Sequence, residues 1–169
     1  MDYLWSPWRY VYVKSADSIP GCVFCGILGE GKDPRVATES DRKNWILHRG
    51  RECFVVLNAY PYNSGHLMVI PYAHLDELSK LPATAAHEMM DLCQKVEAAL
   101  RQVYQPDGIN LGMNLGKAAG AGVAGHIHMH MLPRWMADSN FMTVVGETRV
   151  LPETLDQTWE KLEVVLGTI

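Results

Sequence analysis

The chain has 169 residues and a formal net charge of −4; 48% of its residues are hydrophobic and 20% are charged. This length allows one domain with a buried core, and the composition excludes a disordered chain and a membrane-embedded one. Lysine and arginine are scattered rather than grouped in a basic stripe, which excludes tight binding to long nucleic acid. The first residues show no signal-peptide pattern and no apolar run could span a bilayer, so we expect a cytoplasmic protein.

The predicted elements begin after an N-terminal arm. Residues 1–20 form an arm rich in aromatic side chains, and a turn at Pro20 and Gly21 leads into a short helix that starts at Cys22. Three short apolar segments bounded by Gly, Asn or Pro follow, a pattern typical of strands: residues 45–47, 53–58 and 66–70.

The second half of the chain contains the longest predicted helix. Apolar residues recur at helical spacing over residues 84–104, and Thr84 is the predicted N-cap. Residues 109–114 and 126–132 are predicted strands on either side of a glycine-rich loop, and a last helix is predicted within residues 152–166. Antiparallel strands interrupted by one long helix predict an α+β fold rather than a parallel doubly wound sheet.

Three of the seven histidines alternate with apolar residues in one short segment, at His126, His128 and His130. Because side chains of a strand point alternately to its two faces, these histidines share one face if the segment is a strand. The row could be the polar, solvent-facing side of an amphipathic strand, although nothing about sheet formation favours histidine there. Otherwise it can bind a metal, as in a cupin-like site, or carry nucleophilic and proton-transfer chemistry.

A glycine-rich stretch, residues 110–125, directly precedes the histidine row. Glycines allow consecutive backbone N–H groups to turn toward one concavity and bind an anion. The stretch does not match a Walker loop, because Ala118 follows Lys117 where serine or threonine is required and no helix is predicted next. Taken alone it could be a flexible loop, but beside three histidines it favours phosphate chemistry.

The four cysteines fall into two groups. Cys22 and Cys25 form a C-x-x-C pair, which in a cytosolic chain indicates metal binding, redox chemistry or plain packing. Cys53 and Cys93 lie inside apolar segments and are interpreted as buried packing residues.

Residues 126–132 match the H-φ-H-φ-H-φ-φ signature, where φ is apolar, and the chain thereby resembles the histidine-triad superfamily of nucleotidyl hydrolases and transferases. The resemblance covers about residues 22–135, including the C-x-x-C pair, Asn58, His66 and His74. The segments around residues 4–9, 133–135 and 140–142 look most like bacterial members that resemble diadenosine tetraphosphate phosphorylases. This resemblance implies a five-stranded antiparallel sheet with one long helix and a C-terminal helix, in a homodimer.

The resemblance also implies a division into an arm (residues 1–20), a histidine-triad domain (21–135) and a C-terminal extension with a helix packed on the domain (136–169). It makes His128 the nucleophile that forms a nucleotidyl-histidine intermediate, and His130 a phosphate contact. The remaining implied roles fall to four phosphate- or ribose-binding residues (Asn58, Asn114, Gly120, Gly122) and five residues of a base pocket (Val23, Phe24, Ile27, Val56, Met68).

Zinc-containing members of the superfamily use a Cys2His2 set that this chain fills with Cys22, Cys25, His74 and His126. Four protein ligands would close a tetrahedral shell, so the zinc would be structural. His66 is interpreted as a hydrogen-bonded strand residue that could at most support the site.

One departure from the family pattern bears on the substrate. Many members carry Gln and Ser or Thr just before the triad, whereas residues 120–125 here have no hydroxyl or amide side chain. Because a leaving phosphate chain needs less protonation than an amine, this favours dinucleoside polyphosphates such as diadenosine tetraphosphate over phosphoramidates. The sequence thus predicts a nucleotide hydrolase or phosphorylase, with water or phosphate as acceptor. The alternatives are a nucleotide- or partner-binding protein with little catalysis, and a metal-dependent cupin-like enzyme.

Overall fold

The computed structural model describes residues 21–29, 33–136, 138–146, 148 and 150–167. The predicted N-terminal arm, residues 1–20, lies outside the described residues. The described part contains one antiparallel sheet of five strands in the order β1-β2-β3-β5-β4. The strands are β1 (Ile46–Arg49), β2 (Cys53–Leu57), β3 (Leu67–Pro71), β4 (Gly108–Gly112) and β5 (Met129–Arg134).

Within the described residues, four α-helices accompany the sheet: α1 (Val23–Leu28), α2 (Ala83–Tyr104), α3 (Phe141–Val144) and α4 (Leu155–Leu166). The α+β architecture with one long helix and a C-terminal helix is therefore confirmed. The short α3 was not predicted; it is capped by Asn140, whose side chain accepts from two backbone N–H groups. The prediction of Thr84 as N-cap was wrong, because α2 starts one residue earlier, after Pro82.

The strand predicted at residues 126–132 begins later, at Met129. The reason is that the preceding backbone is engaged elsewhere: the N–H of Ile127 donates to the carbonyl of Leu75 at 2.7 Å instead of pairing with β3 or β4. His126 and His128 therefore lie in an irregular segment that leads into β5, and only His130 is a strand residue. Strand alternation therefore does not explain the positions of His126 and His128. All three histidines are nevertheless buried.

Each face of the sheet carries its own core. On one face α2 and α4 pack against the strands, and the fully buried residues there include Val55, Val69 and Leu100. On the other face the alternate strand residues Phe54, Val56, Met68 and Ile70 pack against α1. The register pairs Met68 with His130, so His130 also lies on this second face, away from α2.

Among the described helices, none combines the length and apolarity needed to cross a membrane.

Candidate active site and metal cluster

Two cysteines and two histidines come together where α1 meets the segment before β5. The ligand atoms of Cys22, Cys25, His74 and His126 all lie within 4.8 Å of one another. The Cys22 sulfur is 3.3 Å from Nδ1 of His126, and the Cys25 sulfur is 3.5 Å from Nδ1 of His74. Two sulfurs and two imidazole nitrogens at this spacing form a cluster that could bind a metal ion.

Local structure explains how distant parts of the sequence supply these four groups. Cys22 is the N-cap of α1 and Cys25 lies one turn further, so both sulfurs face the same side of the helix. His74 follows the end of β3, and the bond from Ile127 N–H to the carbonyl of Leu75 ties its segment to the one that carries His126.

The hydrogen bonds of His126 prepare it to bind a metal. Its Nε2 lies 2.8 Å from the carbonyl oxygen of Pro71, which can only accept, so Nε2 carries the proton and Nδ1 keeps its lone pair toward the two sulfurs. Desolvation of the thiol, followed by the neighbouring Cys22 thiol, raises the pKa of Cys25 to about 11. A cation is therefore needed to hold the Cys25 sulfur as a thiolate at neutral pH, and the donor set suits one.

His128 is fixed in one tautomer by the backbone. Its Nδ1 lies 2.8 Å from the carbonyl oxygen of His126, so Nδ1 donates its proton and Nε2 keeps a lone pair. Burial lowers the pKa of His128, and the hydrogen bond to the carbonyl opposes this shift. Nε2 bonds to no other described residue. The imidazole is therefore neutral at neutral pH, with an unpaired nitrogen that could act as a nucleophile.

His130 is set in the opposite tautomer by a chain of bonds that starts at a backbone group. The N–H of Tyr62 donates to Nδ1 of His66 at 3.1 Å, so the proton of His66 is on Nε2. This Nε2 lies 2.9 Å from Nδ1 of His130 and donates to it, which leaves the proton of His130 on its own Nε2.

Burial keeps both of these rings neutral. It lowers the pKa of His66 to about 3 and that of His130 to about 4, with a smaller contribution from neighbouring histidines. The rings of His128 and His130 have centroids 4.8 Å apart and lie nearly perpendicular. The structure thus sets a nitrogen lone pair on His128 beside an N–H donor on His130.

Two asparagines border the histidine row. Asn58 follows β2; its Oδ1 accepts from the N–H of Tyr60 at 2.9 Å, and its Nδ2 lies 3.4 Å from Nε2 of His66. Asn114 is half-buried and lies two residues beyond Gly112, which pairs with His130. The register places them on opposite sides of His130: Asn58 lies just past Leu57, toward His66, and Asn114 lies past Gly112, toward His128.

The glycine-rich loop between β4 and His126 presents backbone donors. A short 3-10 turn, Lys117–Ala119, is followed by Gly120 with a φ of +90°, a conformation that favours glycine. In the described part of the chain, the N–H groups of residues 122–125 donate to no acceptor. Gly122 belongs to this group, and the loop therefore has N–H groups available for an anion.

The residues expected to form a base pocket are brought together with one exception. Phe24, Val56 and Met68 belong to the apolar cluster on the α1 face, and Ile27 packs against it. Val23 is 38% exposed and lies outside that cluster. The Phe24 ring also contacts both His126 and His128, at centroid distances of 5.5 and 5.0 Å.

Sequence reasoning missed the groups that orient the histidines. The carbonyls of Pro71 and His126 and the N–H of Tyr62 are backbone atoms, which every residue has, so no residue type signals them. His66 was predicted at most to support the site. Its position just before the apolar segment 67–70 was the only feature of the sequence that could have indicated its role. The prediction that Cys53 and Cys93 are buried is confirmed.

Known proteins share this fold and the histidine row. Residues 40–136 match the HIT domain family. The chain is 37% identical over 166 residues to an AP-4-A phosphorylase of Mycobacterium tuberculosis. The aligned part covers 94% of this chain and 80% of the relative. The chain belongs to the HIT, or histidine-triad, family, as its sequence predicted.

Solved structures agree with this assignment. A Zn-bound histidine triad family protein from Mycobacterium smegmatis matches with a TM-score of 0.66 at 27% identity, over 88% of this chain and 94% of its own. The diadenosine triphosphate hydrolase of Plasmodium falciparum matches with a TM-score of 0.59 at 16% identity, over 75% of this chain and 77% of its own, which shows the shared fold. Family and relatives together support a nucleotide-processing HIT enzyme.

Proposed function

We propose that this protein cleaves dinucleoside polyphosphates such as diadenosine tetraphosphate through a nucleotidyl intermediate on His128. The observation that supports this most directly is the pair of opposite tautomers: an unprotonated Nε2 on His128 beside a protonated Nε2 on His130. A nucleophile next to a fixed hydrogen-bond donor is what attack at a phosphate requires. The relative in Mycobacterium tuberculosis, described as an AP-4-A phosphorylase, supports the same substrate class.

The reaction proceeds in two steps. Nε2 of His128 attacks the α-phosphorus, the P–N bond forms, and the bond to the bridging oxygen breaks as the remaining phosphate chain leaves with its electron pair. Water or inorganic phosphate then attacks the same phosphorus, releases the nucleotide and returns the electron pair to His128. The hydrogen bond from Nδ1 to the His126 carbonyl stabilises the positive charge that the ring carries while it is substituted.

Charge on the phosphate oxygens is met by groups that donate hydrogen bonds. The protonated Nε2 of His130, the amide of Asn114 and the backbone N–H groups from Gly122 onward are the proposed phosphate contacts. The N–H of Gly120 donates to the carbonyl of Lys117, so Gly120 is proposed to act through the turn that shapes the loop. Residues 120–125 supply no hydroxyl or amide side chain that could assist a leaving group. A leaving phosphate chain is a weak base and does not need one, which supports an anhydride substrate.

The nucleoside is held on the α1 face of the sheet. Asn58 is the proposed contact for the ribose hydroxyls. The base is proposed to lie among apolar side chains on this face, which are Val23, Phe24, Ile27, Val56 and Met68. The exposure of Val23 fits a residue at the rim of the pocket rather than in its floor. In this proposal residues 21–135 form the catalytic domain, and the extension over residues 136–169 packs on it through α4.

The metal cluster is proposed to bind zinc, held by the sulfurs of Cys22 and Cys25 and by Nδ1 of His74 and His126. Bound there, zinc supplies structural cross-linking rather than a reacting group, because four protein ligands fill its shell. The zinc-bound relative from Mycobacterium smegmatis supports this assignment.

We further propose a homodimer formed through β4. This strand is at the edge of the described sheet, and Leu111 on it and Met90 on the adjacent α2 are each 46% exposed. A second copy could pair β4 with its own β4 across a two-fold axis and cover these side chains. Light scattering should give the mass of a dimer, and Leu111→Lys should shift it to that of a monomer.

The substrate assignment is tested by rates on two nucleotides. The purified protein is incubated with diadenosine tetraphosphate, with and without inorganic phosphate, and separately with an adenosine phosphoramidate. We expect faster turnover of the tetraphosphate; with phosphate as acceptor the products are ADP and ATP, and with water they are AMP and ATP. Faster turnover of the phosphoramidate would contradict the substrate assignment. Nucleotide binding without turnover of either would instead indicate a binding protein.

A further inference from the structure

The metal cluster and the nucleotide site share a side chain that lies between the two cysteines. Phe24 is on α1 between Cys22 and Cys25 and is 6% exposed. Its ring packs on the ring of His126 at 5.5 Å and on that of His128 at 5.0 Å between centroids. Any change that moves the two sulfurs therefore moves the aromatic ring that contacts the proposed nucleophile.

His126 provides a second link between the two sites. Its Nδ1 faces the Cys22 and Cys25 sulfurs at 3.3 and 3.7 Å, while its backbone carbonyl accepts from Nδ1 of His128 at 2.8 Å. One residue thus belongs to the cluster through its side chain and orients His128 through its backbone.

Few other described contacts hold α1 in position. It has six residues, and its N-cap, Cys22, makes no side-chain capping bond. Apart from apolar packing, the described contact that anchors its far end is the bond from Asn44 Nδ2 to the carbonyl of Ile27, at 2.9 Å. A helix this short is not stable by itself, so its position depends on the sulfurs and on Phe24 and Leu28.

The two cysteines of the cluster are accessible, unlike the other two cysteines. Cys25 is exposed and Cys22 is half-buried, and their sulfurs lie within 4.8 Å of each other. Cys53 and Cys93 are 0% and 3% exposed. An oxidant in solution therefore meets the C-x-x-C pair first, and the two other cysteines provide an internal reference.

We propose that Cys22 and Cys25 form an oxidation-sensitive dithiol whose conversion to a disulfide releases the metal and weakens nucleotide binding. The oxidant is a peroxide. One thiolate attacks a peroxide oxygen, giving a sulfenic acid and hydroxide, and the second thiolate displaces hydroxide from that sulfur to form the S–S bond. Two thiols and one hydrogen peroxide give one disulfide and two waters, so sulfur loses two electrons and oxygen gains them.

The consequence for the pocket follows from the shared residues. A disulfide leaves His74 and His126 as the remaining ligands of the cluster, too few to retain zinc tightly. Without the metal, α1 is no longer cross-linked to the segment that carries His126, and Phe24 loses its fixed position against His128. The inference rests on the proposed function, since it takes the nucleotide to bind beside Phe24.

The test uses the full-length, zinc-loaded chain treated with hydrogen peroxide. Released zinc is measured with a colorimetric chelator, the Cys22–Cys25 disulfide by peptide mass spectrometry, and AMP binding by calorimetry. We expect one zinc released per chain, a disulfide confined to this pair, and AMP affinity at least ten times weaker. Dithiothreitol with added zinc should restore binding, whereas methionine sulfoxide is not reversed by this treatment.

Two variants separate the dithiol from other targets of peroxide. Cys25→Asp retains a metal-ligating side chain but cannot form the disulfide, so its AMP affinity should survive peroxide. Cys93→Ala should respond to peroxide as the unchanged chain does. If Cys25→Asp does not fold or bind zinc, the reversibility of the unchanged chain decides the question.

Several results would overturn the inference: zinc retained after peroxide, a disulfide that involves Cys53 or Cys93, or AMP affinity unchanged by the Cys22–Cys25 disulfide. If the reduced, zinc-loaded chain binds no AMP, it is the proposed function that fails. In that case the imidazole NMR signals of His128 test whether the cysteine pair is coupled to His128. The signals should shift on oxidation if the two are coupled, and unchanged signals would show that they are independent.

Discussion

The face of the sheet that packs on α2 is covered by a 22-residue helix, whereas the opposite face is covered by the six-residue α1 and a group of histidines. On the α2 face, apolar side chains interlock and polar groups are few. On the α1 face, His66, His126, His128 and His130 are all buried, and backbone atoms set the tautomers of three of them directly. The α2 face therefore stabilises the fold by burying apolar side chains. The α1 face instead buries polar side chains in fixed tautomers, which costs stability.

We expect substitutions on the α1 face to lower activity and substitutions on the α2 face to lower stability. The largest expected effect is that of replacing His128. His128→Ala should lower kcat at least about 10³- to 10⁴-fold, because the nucleophile is lost and only binding and phosphate contacts remain. AMP affinity should stay within a few-fold of the original, and a cooperative urea unfolding transition should show that the variant is folded. Steady-state kinetics and calorimetry on the same preparation measure both quantities. Residual turnover near the original rate would remove His128 from the reaction.

On the α2 face the opposite result is expected. Leu100 is fully buried between α2 and the sheet, so Leu100→Ala should lower the free energy of unfolding by about 2–5 kcal/mol through lost burial and the cavity left behind. Below the unfolding transition kcat should be unchanged. Urea denaturation and kinetics at low temperature test this, and a large fall in kcat of the folded variant would show that the two faces are not separable.

The buried histidines of the α1 face should make stability depend on pH. Burial lowers the pKa of His66 to about 3 and of His130 to about 4, below the unfolded value near 6.5, so the unfolded chain binds protons that the folded chain excludes. Stability contributed by the neutral rings is full above pH 6.5 and falls as the pH drops toward 4. The free energy of urea unfolding of the zinc-loaded protein should change more steeply with pH than that of His66→Gln. The difference in slope should be up to about 1.4 kcal/mol per pH unit. Equal slopes would show that His66 is protonated in the folded state.

The smallest expected effect concerns a carboxylate at the edge of the α2 face. Glu88 on α2 accepts from the backbone N–H groups of Arg51 at 2.8 Å and Cys53 at 3.0 Å, and also from that of Glu52. Glu88→Gln keeps the shape but replaces one acceptor oxygen with a donor, which should lower the free energy of unfolding by about 1–3 kcal/mol. Catalysis should not change. A variant as stable as the original would mean that water replaces the lost bond without cost.

How far the sequence predicted the molecule also differs between the faces. The apolar spacing of α2 and of α4 was readable because both helices bury one stripe, and their predicted ends were within three residues of those observed. Strand positions were found to a similar accuracy, with β5 starting three residues later than predicted. That error arose because Ile127 donates to Leu75, a contact between segments far apart in sequence that no local pattern reveals.

At the candidate site, residue types were predictable but their states were not. Cysteine and histidine are uncommon enough that Cys22, Cys25, His74 and His126 could be named as one set, and the structure does bring them together. The tautomers of His128 and His130 depend on the His126 carbonyl and the Tyr62 N–H. Such atoms occur at every residue, so only the folded structure identifies which of them face an imidazole.

The proposed reaction depends on His128 forming a covalent intermediate, and trapping that species tests it most directly. The protein is mixed with diadenosine tetraphosphate on a millisecond timescale, quenched under conditions that preserve P–N bonds, digested and analysed by mass spectrometry, with His128→Ala as control. We predict an adenylyl group on the peptide that contains His128, localised to that residue and absent from the variant. Turnover without any adduct on His128, or an adduct on another residue, would contradict the account.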